Sequence, residues 1–318
     1  MYIVQRVYLN PSPKIEPGPS ALSGRLVIPY LSACMNEESG KIRDLFAEAR
    51  RYEQLGDHYN AIKLYKLLVR EAPTWTAPYQ RLGQVYKYRG EWKPAFHYTK
   101  KALALDSAQP DAWWDLGIAA AAMDKEGLAR GIWNKFGIAT DNSWVPQPLS
   151  IRLNLQPQFE LVWALTCDPA RARIQSIPAP GSNHRYGDII LYDREVIGHQ
   201  VVSRRRIGVH PELGLYKRSL YQTYSCKLQV YEAGDVQLLD ELARKAGLGF
   251  ELWSNARKVF TNPKRQPEYF SPLPEAADLS GGDVEVALAA LRKADVLEVL
   301  RNWEIICLGR FEELTLHA

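Results

Sequence analysis

From residue 41 to residue 138 the apolar positions recur every three or four residues, and this helical pattern repeats every 34 residues without an insertion. Four series of small or apolar residues keep the period: Ala61, Ala95, Ala129; Ala49, Gly83, Gly117; Leu45, Tyr79, Trp113; and Leu68, Ala102, Phe136. Small residues let the two helices of a hairpin approach closely. Because one hairpin cannot bury its apolar face alone, the hairpins must stack, and the last must be covered by chain that follows it.

The openings of the second and third repeats resemble the signature of the tetratricopeptide family, W-x2-L-G-x2-Y. They are Tyr79-x2-Leu82-Gly83-x2-Tyr86 and Trp113-x2-Leu116-Gly117. Pro73 ends the first repeat as in the family, whereas Ser107 and Asp141 stand at the corresponding positions of the other two. The resemblance implies a tetratricopeptide domain over residues 41–143, with repeats at 42–75, 76–109 and 110–143.

On either side of the repeats the pattern changes. Five prolines in residues 1–40 predict an extended N-terminal arm, because proline removes a hydrogen-bond donor and disfavours helix in the residue before it. After the repeats, an α+β domain is expected over residues 150–261. Its predicted elements are strands at 159–166, 172–177, 188–192 and 223–231 and a helix from Asp235 to Gly247.

The last part of the chain, residues 262–318, predicts an exposed linker, a helix over 283–303 and a strand over 304–308. The pattern leaves open whether this C-terminal helix packs on the sheet or on the repeats. The predicted fold class is α+β: an N-terminal all-α solenoid of helical hairpins followed by an α+β domain. Residues 133–193 also resemble the module that follows the repeats in some uncharacterised bacterial proteins, a resemblance that implies no activity.

Composition narrows the function classes. The net charge of +4, from 40 basic and 36 acidic residues, is too small and too dispersed for a nucleic-acid-binding surface. Cys34, Cys167, Cys226 and Cys307 lie far apart and form no C-x-x-C pair, which argues against a metal site or a disulfide framework. No signal peptide or membrane helix is recognised. We therefore expect a cytoplasmic protein that needs no metal or other cofactor and binds neither nucleic acid nor membrane.

Catalytic motifs are also missing. The sequence contains no phosphate-binding G-x4-G-K-[ST], no H-E-x-x-H and no G-x-S-x-G. The most suggestive pair is His184 and Asp188, which could act as an acid and a base if they lined a pocket. A polar turn that leads into a strand explains the same residues more simply.

In the tetratricopeptide family the first helices of the hairpins line a concave groove. The resemblance places ten residues of this sequence in that groove: Arg43, Phe46, Arg50, Gln80, Gln84, Lys87, Tyr88, Asp111, Trp114 and Ile118. Arginine and aromatic residues of this kind are enriched at interface hot spots. The lysine–asparagine clamp that some members use for C-terminal carboxylates is not reproduced, because Phe46 occupies one of its positions.

These features favour a non-catalytic protein whose partner is another protein. The most specific form of this hypothesis is a bacterial immunity protein that binds and neutralises a cognate toxin encoded nearby. One alternative is a scaffold or adaptor in a multiprotein assembly, which would bind an extended peptide. A second alternative is a hydrolase-type enzyme whose chemistry lies in the α+β domain around His184 and Asp188.

Overall fold

The computed structural model describes residues 29–140, 144–153, 159–202, 205–253, 259–260 and 284–317. The chain divides into two compact units, residues 1–44 and residues 45–318. Residues 1–28 of the predicted N-terminal arm and the predicted linker over 262–282 lie outside the described residues. The part of the arm that is described is helical from Pro29 onward.

In the described part of the chain, six helices precede the first strand. They are α1 (Pro29–Gln54), α2 (His58–Glu71), α3 (Thr76–Tyr88), α4 (Trp92–Leu105), α5 (Pro110–Ala122) and α6 (Glu126–Lys135). Gly56 and Gly90 turn the first two hairpins with φ angles of 78° and 68°, in the left-handed region that glycine adopts without strain. Asp124 takes the same conformation at the third turn.

The repeated small residues lie where the helices cross. The alanines of both series are almost completely buried. A Cβ atom added to Gly83 would lie 2.3 Å from Thr99 Oγ1, and one added to Gly117 would lie 2.4 Å from the Trp133 ring. These positions therefore need glycine because the partner helix is too close for a side chain.

The strands that follow form a small ring. They are β1 (Pro148–Leu153), β2 (Phe159–Thr166), β3 (Arg171–Ile174), β4 (Ile189–Tyr192), β5 (Gly198–Val202) and β6 (Arg205–Lys217). Strands β1, β2, β3, β4 and β6 pair in that order, and a parallel pairing of β1 with β6 closes the ring. Strand β5 continues the antiparallel pairing with β6 beyond β4. We call this part, residues 148–217, the barrel.

The last third of the chain forms a second sheet. Its elements are β7 (Gln222–Gln229), α7 (Ala233–Lys245), β8 (Gly249–Leu252), β10 (Val284–Ala290), α8 (Lys293–Cys307) and β11 (Arg310–His317), while the short β9 (Val259–Phe260) pairs with β2 of the barrel. The antiparallel strand order β11-β7-β10-β8, with two crossing helices, is the ferredoxin-like arrangement. Helices α7 and α8 cover one face of this sheet in a common apolar core.

Two secondary-structure predictions near the C-terminus are wrong. The helix predicted over 283–303 is strand β10 followed by helix α8, and the strand predicted over 304–308 is mostly the last turn of α8. The sequence of β10, Val-Glu-Val-Ala-Leu-Ala-Ala, is apolar on both faces because α8 covers one side and Ile177 of the barrel packs on the other. Such a run lacks the alternation that identifies a strand. The question left open by the sequence is answered as well, since α8 packs on this sheet.

The fold class predicted from the sequence, helical hairpins followed by an α+β part, is confirmed. The barrel also covers the last hairpin: Ala170, Leu191 and Leu213 share an apolar core with the buried side chains of α5 and α6. The repeats and the barrel therefore bury one continuous core, which holds the barrel beside the first helices of the hairpins. No helix in the described part of the chain is long and apolar enough to cross a bilayer.

Candidate functional site

A polar cavity of about 600 Å3 lies between the first helices of the hairpins and the turn that follows β4. The helices supply eight of its lining residues: Glu53 from α1, Arg81, Gln84, Lys87 and Tyr88 from α3, and Asp111, Trp114 and Asp115 from α5. The turn supplies the remaining three, Asp193, Arg194 and Glu195. Two parts of the chain that are distant in sequence thus form opposite walls of one site.

A buried ion cluster joins these walls. Lys87 Nζ donates to Asp115 Oδ1 at 2.6 Å and to Asp193 Oδ2 at 2.5 Å, and all three side chains are at most 10% exposed. Burial lowers the pKa of the Lys87 ammonium, but the two carboxylates outweigh this effect and raise the pKa above its usual value. Lys87 therefore stays charged and ties the turn to α3 and α5.

In this cluster one ammonium group pairs with two carboxylates, and the pKa values of these carboxylates shift in opposite directions. Burial raises the pKa of Asp115 even with Lys87 beside it. Asp193 is also buried, but Lys87, the Glu195 N–H and the Tyr88 hydroxyl together hold the pKa of Asp193 below its usual range. Asp193 therefore stays ionised and paired with Lys87.

The other two turn residues contact the same helices. The Arg194 guanidinium pairs with Asp111 and lies 4.2 Å from the centre of the Trp114 ring, a cation–π contact. The Tyr88 hydroxyl lies 2.8 Å from Glu195 Oε2 and 3.1 Å from Asp193 Oδ2. Each residue of the turn therefore has its own partner on α3 or α5.

The far end of the cavity is formed by the repeats alone. Arg81 donates two hydrogen bonds to Glu53, of 3.1 Å and 2.6 Å, and a third to the Gln84 side chain at 2.7 Å. The Tyr65 hydroxyl also donates to Glu53 at 2.7 Å. These bonds connect α1, α2 and α3, so this end is as well supported as the end at the turn.

A second polar junction holds the barrel against the last hairpin, outside the cavity. Arg171 of β3 makes two hydrogen bonds to Glu126 of α6, of 2.7 Å and 3.0 Å, and one to the Tyr216 hydroxyl at 2.9 Å. Tyr216 in turn donates to Asp124, at the turn of the third hairpin. Two independent junctions fix the orientation of the barrel.

The structure separates the ten predicted groove residues into two groups. Gln84, Lys87, Tyr88, Asp111 and Trp114 line the cavity. The others do not. Phe46 packs against Trp75 and Tyr65 with tilted rings, whose centres lie 4.7 Å and 5.7 Å away. Arg50 and Gln80 are half-buried, and Arg43 is exposed in the unit formed by residues 1–44. Ile118 is completely buried beneath the barrel, so it contributes packing and no surface.

Sequence reasoning missed the lining residues outside the predicted set. Glu53, Arg81 and Asp115 lie on the same first helices, and a helical wheel extended by one turn would have included them. Asp193, Arg194 and Glu195 had no such signal. They follow a short strand as an ordinary charged turn, and their partners lie 83 to 107 residues away in the sequence.

The candidate acid–base pair lies elsewhere, in the connection between β3 and β4. His184 Nδ1 is 3.7 Å from Asp188 Oδ2, too far for a hydrogen bond, and Nε2 is 2.9 Å from Glu212 Oε1. Burial lowers the pKa of His184, but Asp188 and Glu212 outweigh it and raise the pKa to about 9. Asp188 is completely buried and also accepts bonds from the Arg185 and Ser219 N–H groups. The imidazolium is therefore a structural ion pair at neutral pH.

Comparison with known proteins finds solved structures that are similar to part of the chain. No model of a protein family matches the chain. Yeast Tom70 is 18% identical over 34% of this chain and 22% of its own, with a TM-score of 0.30. The tetratricopeptide domain of Sgt2 from Aspergillus fumigatus is 22% identical over 30% of this chain and 63% of its own, with a TM-score of 0.28. A hypothetical protein from Neisseria gonorrhoeae is 14% identical over 54% of this chain and 96% of its own, with a TM-score of 0.24.

The chain spans about a fifth of the length of the Tom70 chain that it matches. The three stacked hairpins, their 34-residue period and their glycine contacts identify the helical part as tetratricopeptide-type. This conclusion concerns the fold, and a fold does not establish a function.

Replacing Lys87 by Met should lower the free energy of unfolding by about 3–5 kcal/mol, because it leaves Asp115 and Asp193 buried without their counter-ion. Urea denaturation followed by circular dichroism measures this change. Arg89→Met is the matched control. Arg89 pairs with Glu91 on the surface, so its loss should cost at most about 1 kcal/mol. Equal effects of the two substitutions would show that the buried cluster does not hold the walls together.

The stability contributed by His184 should depend on pH in a defined direction. Its pKa in the folded protein, about 9, exceeds the ordinary histidine value of 6.5, so the contribution is complete below pH 6.5 and is lost as the pH rises through about 9. The difference in unfolding free energy between the wild type and His184→Gln should therefore shrink by roughly 3 kcal/mol between about pH 6 and about pH 10. His97→Gln, on the exposed face of α4, controls for the loss of an imidazole. A difference that stays constant over this range would contradict the assignment.

Proposed function

We propose that this protein binds another protein at a composite surface formed by the first helices of the hairpins and the turn 193–195. The observation that supports the proposal most strongly is the cavity of about 600 Å3 that both parts of the chain line. A cavity of this size accepts a few side chains of a partner and is too small for a folded domain. The rest of the partner would contact the rim.

The residues at the cavity suit protein recognition. Arg81, Tyr88, Trp114 and Arg194 are of the types that dominate interface hot spots. Beyond the turn, Val196 and Ile197 are 45% and 39% exposed, so an apolar rim adjoins the polar cavity. A polar pocket beside exposed apolar side chains gives a partner both an anchor and apolar area to bury.

The hydrogen bonds of the cavity support a rigid receptor. Lys87 holds the turn, Arg81 holds the opposite end, and Arg171 fixes the barrel against α6. Because these groups are already ordered, a partner loses little conformational freedom of the receptor when it binds. The proposed surface is therefore pre-organised.

The most specific form of the proposal is a bacterial immunity protein that covers and neutralises a cognate toxin. It is supported by analogy with repeat scaffolds that carry an appended module, an analogy at the level of fold. A toxin masked in this way would bury a standard interface, roughly 800 Å2 on each partner. Co-expression with the product of the neighbouring gene is the test. If that product is toxic and this protein neither protects the cell nor binds it, the immunity form is wrong.

The alternative form is a scaffold or adaptor that binds an extended peptide in the same cavity. The polar lining favours this form, because backbone amide and carbonyl groups of an unfolded segment can bond to the cavity side chains. It predicts micromolar affinity for a peptide excised from the partner, whereas the immunity form predicts tight binding only of the folded domain. Calorimetry with the domain and with its fragments separates the two forms.

The hydrolase alternative receives no support from the arrangement around His184. A general base must be unprotonated near neutral pH and must reach a substrate. His184 has its pKa raised to about 9, and its partner Asp188 is completely buried. We therefore propose binding and not catalysis.

Blocking the cavity should abolish binding without unfolding the protein. In Gln84→Trp a large ring replaces a half-buried amide in the cavity lining, so we expect the affinity for the partner to fall at least about tenfold. Gln237→Trp places the same change on the exposed face of α7 and should alter the affinity less than about twofold. Both variants are compared with the wild type by calorimetry against the protein identified by co-expression, after thermal unfolding confirms that they fold. Equal affinities of all three proteins would exclude the cavity as the binding site.

A further inference from the structure

The second helices of the three hairpins, α2, α4 and α6, carry a concentration of positive charge. They contain eight lysine or arginine residues, all of them exposed, and two acidic residues, Glu71 and Glu126. The whole chain has 40 basic and 36 acidic residues, so acidic residues outnumber basic ones outside these helices. Positive charge is thus segregated onto the exposed side of α2, α4 and α6, which we call the outer face.

The positive charge of the outer face is not neutralised by carboxylates of the described chain. None of the eight basic side chains forms an ion pair within the described residues. Glu126 pairs with Arg171 of the barrel, which leaves Glu71 as the one acidic side chain of these helices without a salt bridge. Cations that share one surface attract negative charge to it.

Two cations of the outer face are held in place by aromatic rings of the first helices. Lys66 Nζ lies 5.7 Å from the centre of the Tyr86 ring, and Lys135 Nζ lies 3.4 Å from the centre of a ring of Trp113. The face of an aromatic ring attracts an ammonium group without neutralising its charge. These two cations are therefore positioned by the fold and can still pair with an anion.

The 34-residue period aligns the cations of successive hairpins. Lys66 of α2 and Lys100 of α4 occupy the same repeat position, and so do Lys101 of α4 and Lys135 of α6. Because stacked repeats place equal positions at the same height, these four residues form a row that crosses three helices. The row fits a chain that lies across the hairpins and brings an acidic side chain to each helix.

We propose that the outer face binds an acidic segment of a protein, which lies across α2, α4 and α6. Carboxylate groups form charge-assisted hydrogen bonds with lysine and arginine and need no further feature of the surface. None of the residues of these helices lines the cavity, so the outer face is a second binding surface. A chain with both surfaces can hold two partners at once, as an adaptor does.

Nucleic acid and lipid are poorer matches to the outer face. The bases of a single strand stack on exposed rings, but Lys66 and Lys135 already cover Tyr86 and Trp113. A lipid surface is bound through inserted apolar side chains together with basic ones. The exposed residues of α4 before its last turn include no apolar side chain; they are Lys93, His97, Lys100 and Lys101.

The test uses the full-length protein and two capped, fluorescently labelled dodecapeptides, in which Ala alternates with Glu or with Gln. Fluorescence polarisation should show about tenfold or more tighter binding of the Glu peptide. The double variant Lys100→Gln with Lys101→Gln should lower the affinity for the Glu peptide about tenfold. Arg244→Gln with Lys245→Gln removes the same charge from the last turn of α7 and should change it less than about twofold.

Equal binding of the two peptides, or equal losses in the two double variants, would overturn the inference. Loss of Glu-peptide binding in Gln84→Trp would also overturn it, because the peptide would then occupy the cavity. Oligothymidine of twelve nucleotides and phosphatidylserine vesicles are measured alongside. If either binds about tenfold more tightly than the Glu peptide and is released by Lys100→Gln with Lys101→Gln, the outer face serves nucleic acid or lipid and the inference is wrong.

The outer face and the cavity are tested separately by these variants. If Gln84→Trp loses the partner of the cavity but binds the Glu peptide as the wild type does, both surfaces are supported. If Lys100→Gln with Lys101→Gln loses the partner of the cavity while Gln84→Trp keeps it, the composite surface of the proposed function is wrong and the outer face is the site of that partner.

Discussion

The ammonium group of Lys87, shared between Asp115 and Asp193, is the contact on which the candidate site depends. It joins residues that are 106 positions apart, and it does so where all three side chains are buried. A buried charge without a partner is strongly destabilising, so the folded chain must keep the turn after β4 against α3. The apolar core shared by α5, α6 and the barrel brings the two walls close, and the ion cluster sets their register. A cavity results because the barrel covers only part of the first helices of the hairpins.

Much of the fold and part of the candidate site could be predicted from the sequence, for physical reasons. The hairpins were predictable because helix crossings recur at a fixed spacing, and each crossing demands a small residue such as Gly83 or Gly117. The resemblance to the tetratricopeptide family implied a groove position for Tyr88 and Asp111, and both line the cavity. The turn at Asp193 could not be predicted, because a charged tripeptide after a strand has no local sign of a distant partner. Strand β10 was misassigned because both of its faces are buried, which removes the alternation that marks a strand.

Shape and charge contribute differently to the proposed function. The hairpins supply one wall of the cavity, and the carboxylates at the turn come from the barrel. The specificity of such a surface would then depend on the junction between the two parts. A related chain could keep the same hairpins and recognise a different partner through a change at the turn. The C-terminal sheet packs on the barrel through Ile177, and none of its described residues lines the cavity.

Native-state hydrogen exchange measures directly whether the turn after β4 is a fixed wall of the cavity. The amide of Asp193 bonds to the Pro211 carbonyl, and that of Ile197 bonds to the Val209 carbonyl, so both report on the turn. We expect the free energy of opening at these two amides to lie within about 1 kcal/mol of that of the most protected amides in α5. Exchange at the turn that is far faster than in α5 would show that the wall opens on its own, and the cavity would then not be a pre-organised site.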